Sequence, residues 1–212
     1  LNGISFKLNS NEITCIIGQN GAGKTTLGKC LCGLLKPTQG KIYLNGKAMK
    51  YDDLYRNSLF IMQESEFQFF TNSVIGELKY GIDSSKYDEI EPLLKEFDMW
   101  GLRNRHPFSL SGGQMQKLTL MTAYLSSKKL IILDEPTRGI DVGAKSEIHK
   151  LLRELASAGI GIIIISSELA EVIGLCDRVI VIHEGRISGQ LLSNQFSEES
   201  ILRLASGEIS IK

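Results

Sequence analysis

At 212 residues, with 42% apolar and 23% charged side chains, the chain is long enough to bury a substantial core without disulfide or metal staples. Its 24 basic and 24 acidic residues cancel, which removes any bulk electrostatic case for a nucleic-acid or anionic-lipid binder. Cys15, Cys30, Cys32 and Cys176 fit neither a disulfide framework nor zinc-site spacing and read as buried reduced thiols, and no apolar run reaches membrane-spanning length.

The chain opens on Leu1, without a secretory signal pattern, and enters almost directly into an alternating stretch, as an excised domain would. Ile4, Phe6 and Leu8 alternate with polar residues, the period of a half-buried strand. After the turn-like Asn9-Ser10-Asn11, residues 12–17 form a second, apolar strand. It runs into Gly18-Gln19-Asn20-Gly21-Ala22-Gly23-Lys24-Thr25-Thr26, and a helical pattern follows over 24–35. Strand, glycine-rich turn and helix start give G-x-x-x-x-G-K-[ST] the context in which it holds phosphate. The glycines let successive backbone N–H groups face one anion, and the helix adds its positive end. Lys24 reaches the β- and γ-phosphates of a nucleotide, and the Thr25 hydroxyl is a ligand for Mg²⁺.

The breakers Lys36-Pro37-Thr38-Gln39-Gly40 end that helix, and Asn45-Gly46 marks a hairpin after a strand over 41–44. A further strand over 59–62 ends at Gln63. The pattern then turns helical, with candidates over 73–78, 87–97 and 114–125, and Trp100, Leu102 and Phe108 are expected to pack this smaller unit together. Within it, Leu110-Ser111-Gly112-Gly113-Gln114 places an N-cap and two permissive glycines before a helix.

Leu130-Ile131-Ile132-Leu133 is apolar on both faces, as in a covered parallel sheet, and ends in Asp134-Glu135-Pro136. Open α/β sheets bind ligands at that end of their strands. Asp134 is placed to hold Mg²⁺ beside Thr25, and Glu135 to orient and activate water for attack on a γ-phosphate. The remainder alternates: a helix over 144–158, a buried strand over 161–165, a helix over 168–175, strands over 178–182 and 186–188 about Glu184-Gly185, and a closing helix over 197–205 whose Leu202 and Leu204 dock on the body. The fold class expected is a three-layer α/β P-loop NTPase with a helical subdomain and a small N-terminal antiparallel β region.

The Ser111–Gln114 stretch closely resembles the signature of the ATP-binding cassette (ABC) ATPases, and the resemblance covers nearly the whole chain. It implies a single ABC ATPase domain over 1–212, with a nucleotide-binding body of 1–63 and 126–212 and a signature subdomain of 64–125. It implies ATP and Mg²⁺ as ligands, Gly18 to Thr26 as the Walker A loop, and 130–134 as the Walker B strand. Glu135 resembles the catalytic glutamate and Gln63 the residue that senses Mg²⁺ and attacking water. The family pairs two domains head to tail, so Ser111, Gly113 and Gln114 are implied to meet a nucleotide held by the opposite domain, and Asp141 to cross that interface. Ser167 stands where the family commonly has a histidine contacting the γ-phosphate. A serine donates a hydrogen bond but carries no positive charge, which implies slower turnover. Lys117 stands at a frequent arginine position, keeping the charge without the planar fork. The base-stacking aromatic of the family is expected before residue 1, since Phe6 falls on a strand alternation.

Two branches of the family are suggested. Residues 135–145, Ser166-Ser167-Glu168-Leu169, and 176–186 resemble the second ATPase domain of bacterial sugar importers; residues 63–74 look like vitamin and metal uptake systems of the energy-coupling type. Both imply an ATPase at the cytoplasmic face of a membrane, working with a transmembrane permease. A soluble cassette ATPase and a catalytically weak regulatory domain are the alternatives. Phe67, Phe69 and Phe70 have two readings, subdomain core or a groove for a helix of the permease.

Overall fold

The computed structural model describes residues 1–208, with backbone alone at 65 and 66. Strands β1 (Ile13–Gly18), β4 (Ser58–Ile61), β5 (Leu130–Asp134), β6 (Gly161–Ile165), β7 (Arg178–His183) and β8 (Arg186–Leu192) form one sheet. Their order is β4-β5-β6-β1-β7-β8, all neighbours parallel except the antiparallel β7–β8 edge. The strands are apolar on both faces because both faces are covered. Cys15, Ile17, Ile131, Leu133, Ile162, Ile164, Val179 and Val181 pack into the larger core. Ile16, Ile132, Ile163, Ile165 and Ile182 pack on the other face with Leu27 and Phe60. Each such side chain contributes about 2 kcal/mol relative to exposure.

Helix α1 (Lys24–Leu31) leaves the end of β1 and stops earlier than the expected 35, because Cys32 caps it and Gly33 turns left-handed at φ +71°. The hairpin β2 (Tyr43–Leu44) and β3 (Lys47–Ala48) turns on Asn45 and Gly46, both at positive φ (51° and 77°), as a two-residue type I′ loop requires. Residues 4–8 are a correction. Ile4, Phe6 and Leu8 are half-buried and their neighbours exposed, as the alternation demands, yet the segment pairs with no strand among the described residues. It packs on the α1 side of the sheet through side chains alone.

Helix α2 (Tyr51–Asn57) was not foreseen: it buries only Leu54, so it carries no apolar period. It seats against Gly33, where a β-carbon would meet the Tyr51 carbonyl oxygen at 2.7 Å. The helical subdomain contains α3 (Val74–Lys79), α4 (Tyr87–Glu96) and α5 (Gly112–Leu125). Its interior holds Leu78, Ile90, Leu94, Phe97, Met99 and Leu118. Trp100 and Leu102 are half-buried against it, whereas Phe108 is 62% exposed and does not serve as core. Of the three phenylalanines near Gln63, Phe69 packs inward while Phe67 and Phe70 are exposed.

Helix α6 (Val142–Ser157) lies against α5, and α7 (Leu169–Leu175) follows β6. The final helix α8 (Glu198–Ala205) docks through Ile201 and Leu204, but Leu202 faces solvent, contrary to expectation. Strand β8 outruns the expected 186–188 because it pairs β7 through to Leu192 past an irregularity at Val181/Ile182. All four cysteines are free; three are buried, while Cys30 is only half-buried. Burial pushes the Cys32 thiol up to about 12, which leaves it inert as a nucleophile.

Candidate functional site: a nucleotide-phosphate loop at the carboxyl edge of the sheet

The parallel strands bring the ends of β1, β5 and β6 together at one edge. At the end of β1, Gly18 abuts the Ile182 carbonyl of β7 so closely that a β-carbon has no room. Gly21 and Gly23 then take φ of 83° and 101°, conformations that L side chains rarely adopt. No side chain caps α1 at Gly23, so its first amides keep their donors for a ligand. Gln19 and Asn20 are exposed on the loop, Ala22 is buried beneath it, and Thr26 faces outward at the first turn of α1. The Lys24 ammonium lies back over the loop and donates to the carbonyls of Gly18 (2.8 Å) and Gln19 (3.1 Å).

Thr25 crosses from this loop to β5: its hydroxyl donates to Asp134 Oδ2 at 2.8 Å. A hydroxyl and a carboxylate are hard oxygen donors of the kind Mg²⁺ selects. Among the described residues there is no cluster of three or more His, Cys, Asp or Glu suited to a metal. The Thr25–Asp134 oxygen pair fits an ion that takes one or two protein oxygens and completes its shell from phosphate and water, as Mg²⁺ does.

Glu135 continues the ladder by donating its N–H to Ile165 O at 2.8 Å, then turns at φ +52°. That left-handed geometry is costly for glutamate and directs the chain off the sheet immediately after Asp134. Its carboxylate accepts from both the backbone N–H and the hydroxyl of Ser167, each at 3.2 Å. Ser167 thus holds the acidic side chain in place, a contact that spacing alone did not reveal. Gln63 lies exposed two residues beyond β4, the strand paired with β5. Its neighbour Gln68, unremarked in the sequence, seals that strand end by donating to Phe60 O (2.9 Å) and accepting from Met62 N–H (3.1 Å).

Ser111, Gly113, Gln114 and Asp141 form a second group at the starts of α5 and α6. Ser111 and Gln114 complete a reciprocal capping box: the Ser111 hydroxyl accepts from Gln114 N–H, and Gln114 Oε1 accepts from Ser111 N–H. Asp141 caps α6 by accepting from Ala144 N–H at 2.9 Å. A β-carbon on Gly113 would stand 2.6 Å from that of Ala144, with Asp141 Oδ2 at 3.9 Å. Gly113 is therefore required by helix packing, while Gly112 has open space around it. No hydrogen bond among the described residues joins this group to the phosphate loop. Lys117 is buried, and its ammonium donates to Phe97 O (3.1 Å) and Glu147 (2.5 Å), binding α5 to α6.

A further buried carboxylate, Glu171 on α7, accepts from the hydroxyls of Thr137 (2.7 Å) and Ser166 (2.8 Å), with His149 Nε2 at 3.3 Å. Burial raises its pKa, but the bonds from His149, Thr137 and Ser166 outweigh it and hold the carboxyl below its ordinary value.

The ABC transporter family model matches residues 1–138. The ribose import ATP-binding protein RbsA 2 of Rhizobium meliloti is 41% identical over 96% of this chain and 43% of its own length. RbsA of Caldanaerobacter subterraneus is 37% identical over 96% of this chain and 45% of its own length, so the chain spans less than half of these relatives. The structure of cbiO1 from Clostridium perfringens, part of the ABC transporter complex cbiONQ, superposes with a TM-score of 0.83 at 31% identity, covering 96% of this chain and 86% of that one. A nucleotide-free ATP-binding cassette gives a TM-score of 0.80 at 26% identity, covering 96% and 91%. With its phosphate loop, strand-end carboxylates and capped signature helix, the chain belongs to the ATP-binding cassette family of ABC transporter ATPases.

Proposed function

We propose that this chain binds ATP with Mg²⁺ and hydrolyses it as the nucleotide-binding unit of a membrane importer. The observation that carries this reading is the convergence at one sheet edge of Lys24, the Thr25–Asp134 bond and a Glu135 carboxylate held by Ser167. In this reading Lys24 and the amides of Gly18 to Thr26 orient the phosphates. Thr25 and Asp134 would hold Mg²⁺, which would supply charge neutralisation for the phosphates. Glu135, aided by Gln63, orients a water and accepts its proton as the water oxygen bonds to the γ-phosphorus and the bond to the β-phosphate oxygen breaks. Ser167 steadies Glu135 in place of a histidine. Catalysis here is mostly positioning and charge stabilisation.

The body comprises 1–63 and 126–212 and the signature subdomain 64–125. Two cassettes meet head to tail, so that Ser111, Gly113 and Gln114 of one close over the nucleotide of the other and Asp141 spans the interface. Among the described residues no helix is long and apolar enough to cross a membrane. By kinship with import ATP-binding proteins, a transmembrane permease is the second partner, with the cassette peripheral on the cytoplasmic face. The exposed Phe67 and Phe70 of the 63–74 segment, with Phe108 near Phe69, supply an aromatic surface suited to a permease helix. Kinship with proteins named for ribose import supports a sugar as the solute over a vitamin or metal.

The test is steady-state ATP hydrolysis by the assembled protein with and without Glu135→Gln. A fall of at least about a hundredfold with retained ATP binding is expected. Wild-type turnover no faster than the variant's would refute hydrolysis and leave a regulatory ATP-binding domain.

A further inference from the structure

We infer that Glu171 is a positioning residue for ATP hydrolysis, tying the loop that carries Glu135 to the loop that carries Ser167. This rests on the hydrolysis reading above. The carboxylate is 6% exposed and is reached from three separate elements. Thr137, two residues after Glu135, donates to Oε1 at 2.7 Å. Ser166, the residue before Ser167, donates to Oε2 at 2.8 Å. His149 of α6 stands 3.3 Å from Oε1. The Ser166 hydroxyl also accepts from Glu168 N–H at 3.1 Å, which fixes the turn in which Ser167 lies. Lys145 of α6 ties the same turn from outside through Glu168 at 2.5 Å.

The two loops have no strand pairing of their own beyond Glu135 N–H on Ile165 O. The distance between the Glu135 carboxylate and the Ser167 donors is therefore set by what bridges the loops behind them. One oxygen of Glu171 takes the first loop and the other takes the second, so its two-oxygen acceptor geometry is a spacer of fixed length. A neutral amide at this position presents an N–H₂ to one of the two hydroxyls, which must turn from donor to acceptor, and both bonds lose the carboxylate's charge. Among the described residues Glu171 bonds Thr137, His149 and Ser166 and makes no hydrogen bond to the phosphate loop, Asp134 or Glu135, so its influence passes through Thr137 and Ser166 to Glu135 and Ser167. Its removal therefore acts on turnover before it acts on nucleotide affinity.

The experiment compares ATP hydrolysis and nucleotide binding by the assembled protein for wild type, Glu171→Gln, Thr137→Val, Thr137→Ser, Thr137→Val with Glu171→Gln, and Glu135→Gln. The expected result is a fall in kcat of about tenfold for Glu171→Gln and for Thr137→Val, with KM for ATP within about twofold. Thr137→Ser restores the hydroxyl and with it most of the rate, and the double variant is no slower than either single one. An active wild type matched by Thr137→Val within about twofold, or Thr137→Ser as impaired as Thr137→Val, overturns the inference alone. Should Glu171→Gln fail to fold, the Thr137 pair decides. A wild type no faster than Glu135→Gln overturns the hydrolysis reading and this inference together.

Discussion

Ser167 shows how much of a site can rest on one small side chain. Its hydroxyl and its backbone N–H reach the same Glu135 oxygen, so Ser167→Ala removes one donor and keeps the other. A hydrogen bond to a charged acceptor contributes about 1.5–3 kcal/mol, which predicts a kcat some tenfold to a hundredfold lower with ATP affinity unchanged; an equal loss of affinity would place Ser167 on the nucleotide instead. Glu171 adds a pH dependence with a definite sign. Its carboxyl sits below its ordinary 4.5 in the folded protein, so the stability it contributes is complete above that value and is lost as pH falls through the lower folded one. His149 bonds it directly, and Lys145 and Glu168 form the neighbouring ion pair. Urea midpoints of Glu171→Gln are expected to change less than wild type between about pH 6 and about pH 3. The phosphate loop and the strand-end acids could be read in the sequence because their chemistry depends on neighbours in the chain. Glu171 could not, because Thr137, His149 and Ser166 meet it only after three elements fold together.

At the scale of elements, α5 and α6 pack closely. Gly113 lies under Ala144, and a methyl group there must push the two helices apart. Gly113→Ala is expected to destabilise the protein by about 1–3 kcal/mol, and Ala144→Gly in the same chain to recover part of it. Equal unfolding midpoints for wild type and Gly113→Ala would show that the helices yield without cost. Element type was legible wherever the apolar period was strong, as in β5, β6 and α6, where both sheet faces or one helix face are buried. It failed where burial and pairing part company. Residues 4–8 alternate correctly but find no strand partner among the described residues, and α2 is helical while burying only Leu54. Phe108 and Leu202 show the same limit at single positions: an apolar residue on an amphipathic element does not say which side of its stripe the body covers.

For the whole molecule, the two separate residue groups make a prediction about assembly. Among the described residues no hydrogen bond joins the phosphate loop to the Ser111 group, as expected if each completes the other's site across a two-fold axis. In the Glu135→Gln background, ATP is expected to shift the protein to a dimer in size-exclusion chromatography, and Ser111→Arg to prevent it. A Ser111→Arg variant that still dimerises would remove Ser111 from the interface. The sheet order has a consequence in time as well. Strand β1, which launches the phosphate loop, lies between β6 and β7, and Ile13 N–H is held by Asp177, 164 residues further on. During synthesis at roughly 5–20 residues per second, the loop leaves the ribosome on the order of ten to thirty seconds before the strands that flank its base. The nascent chain thus carries the proposed phosphate-binding residues long before the strands that frame them, and on that proposal ATP can assist only the last stage of folding.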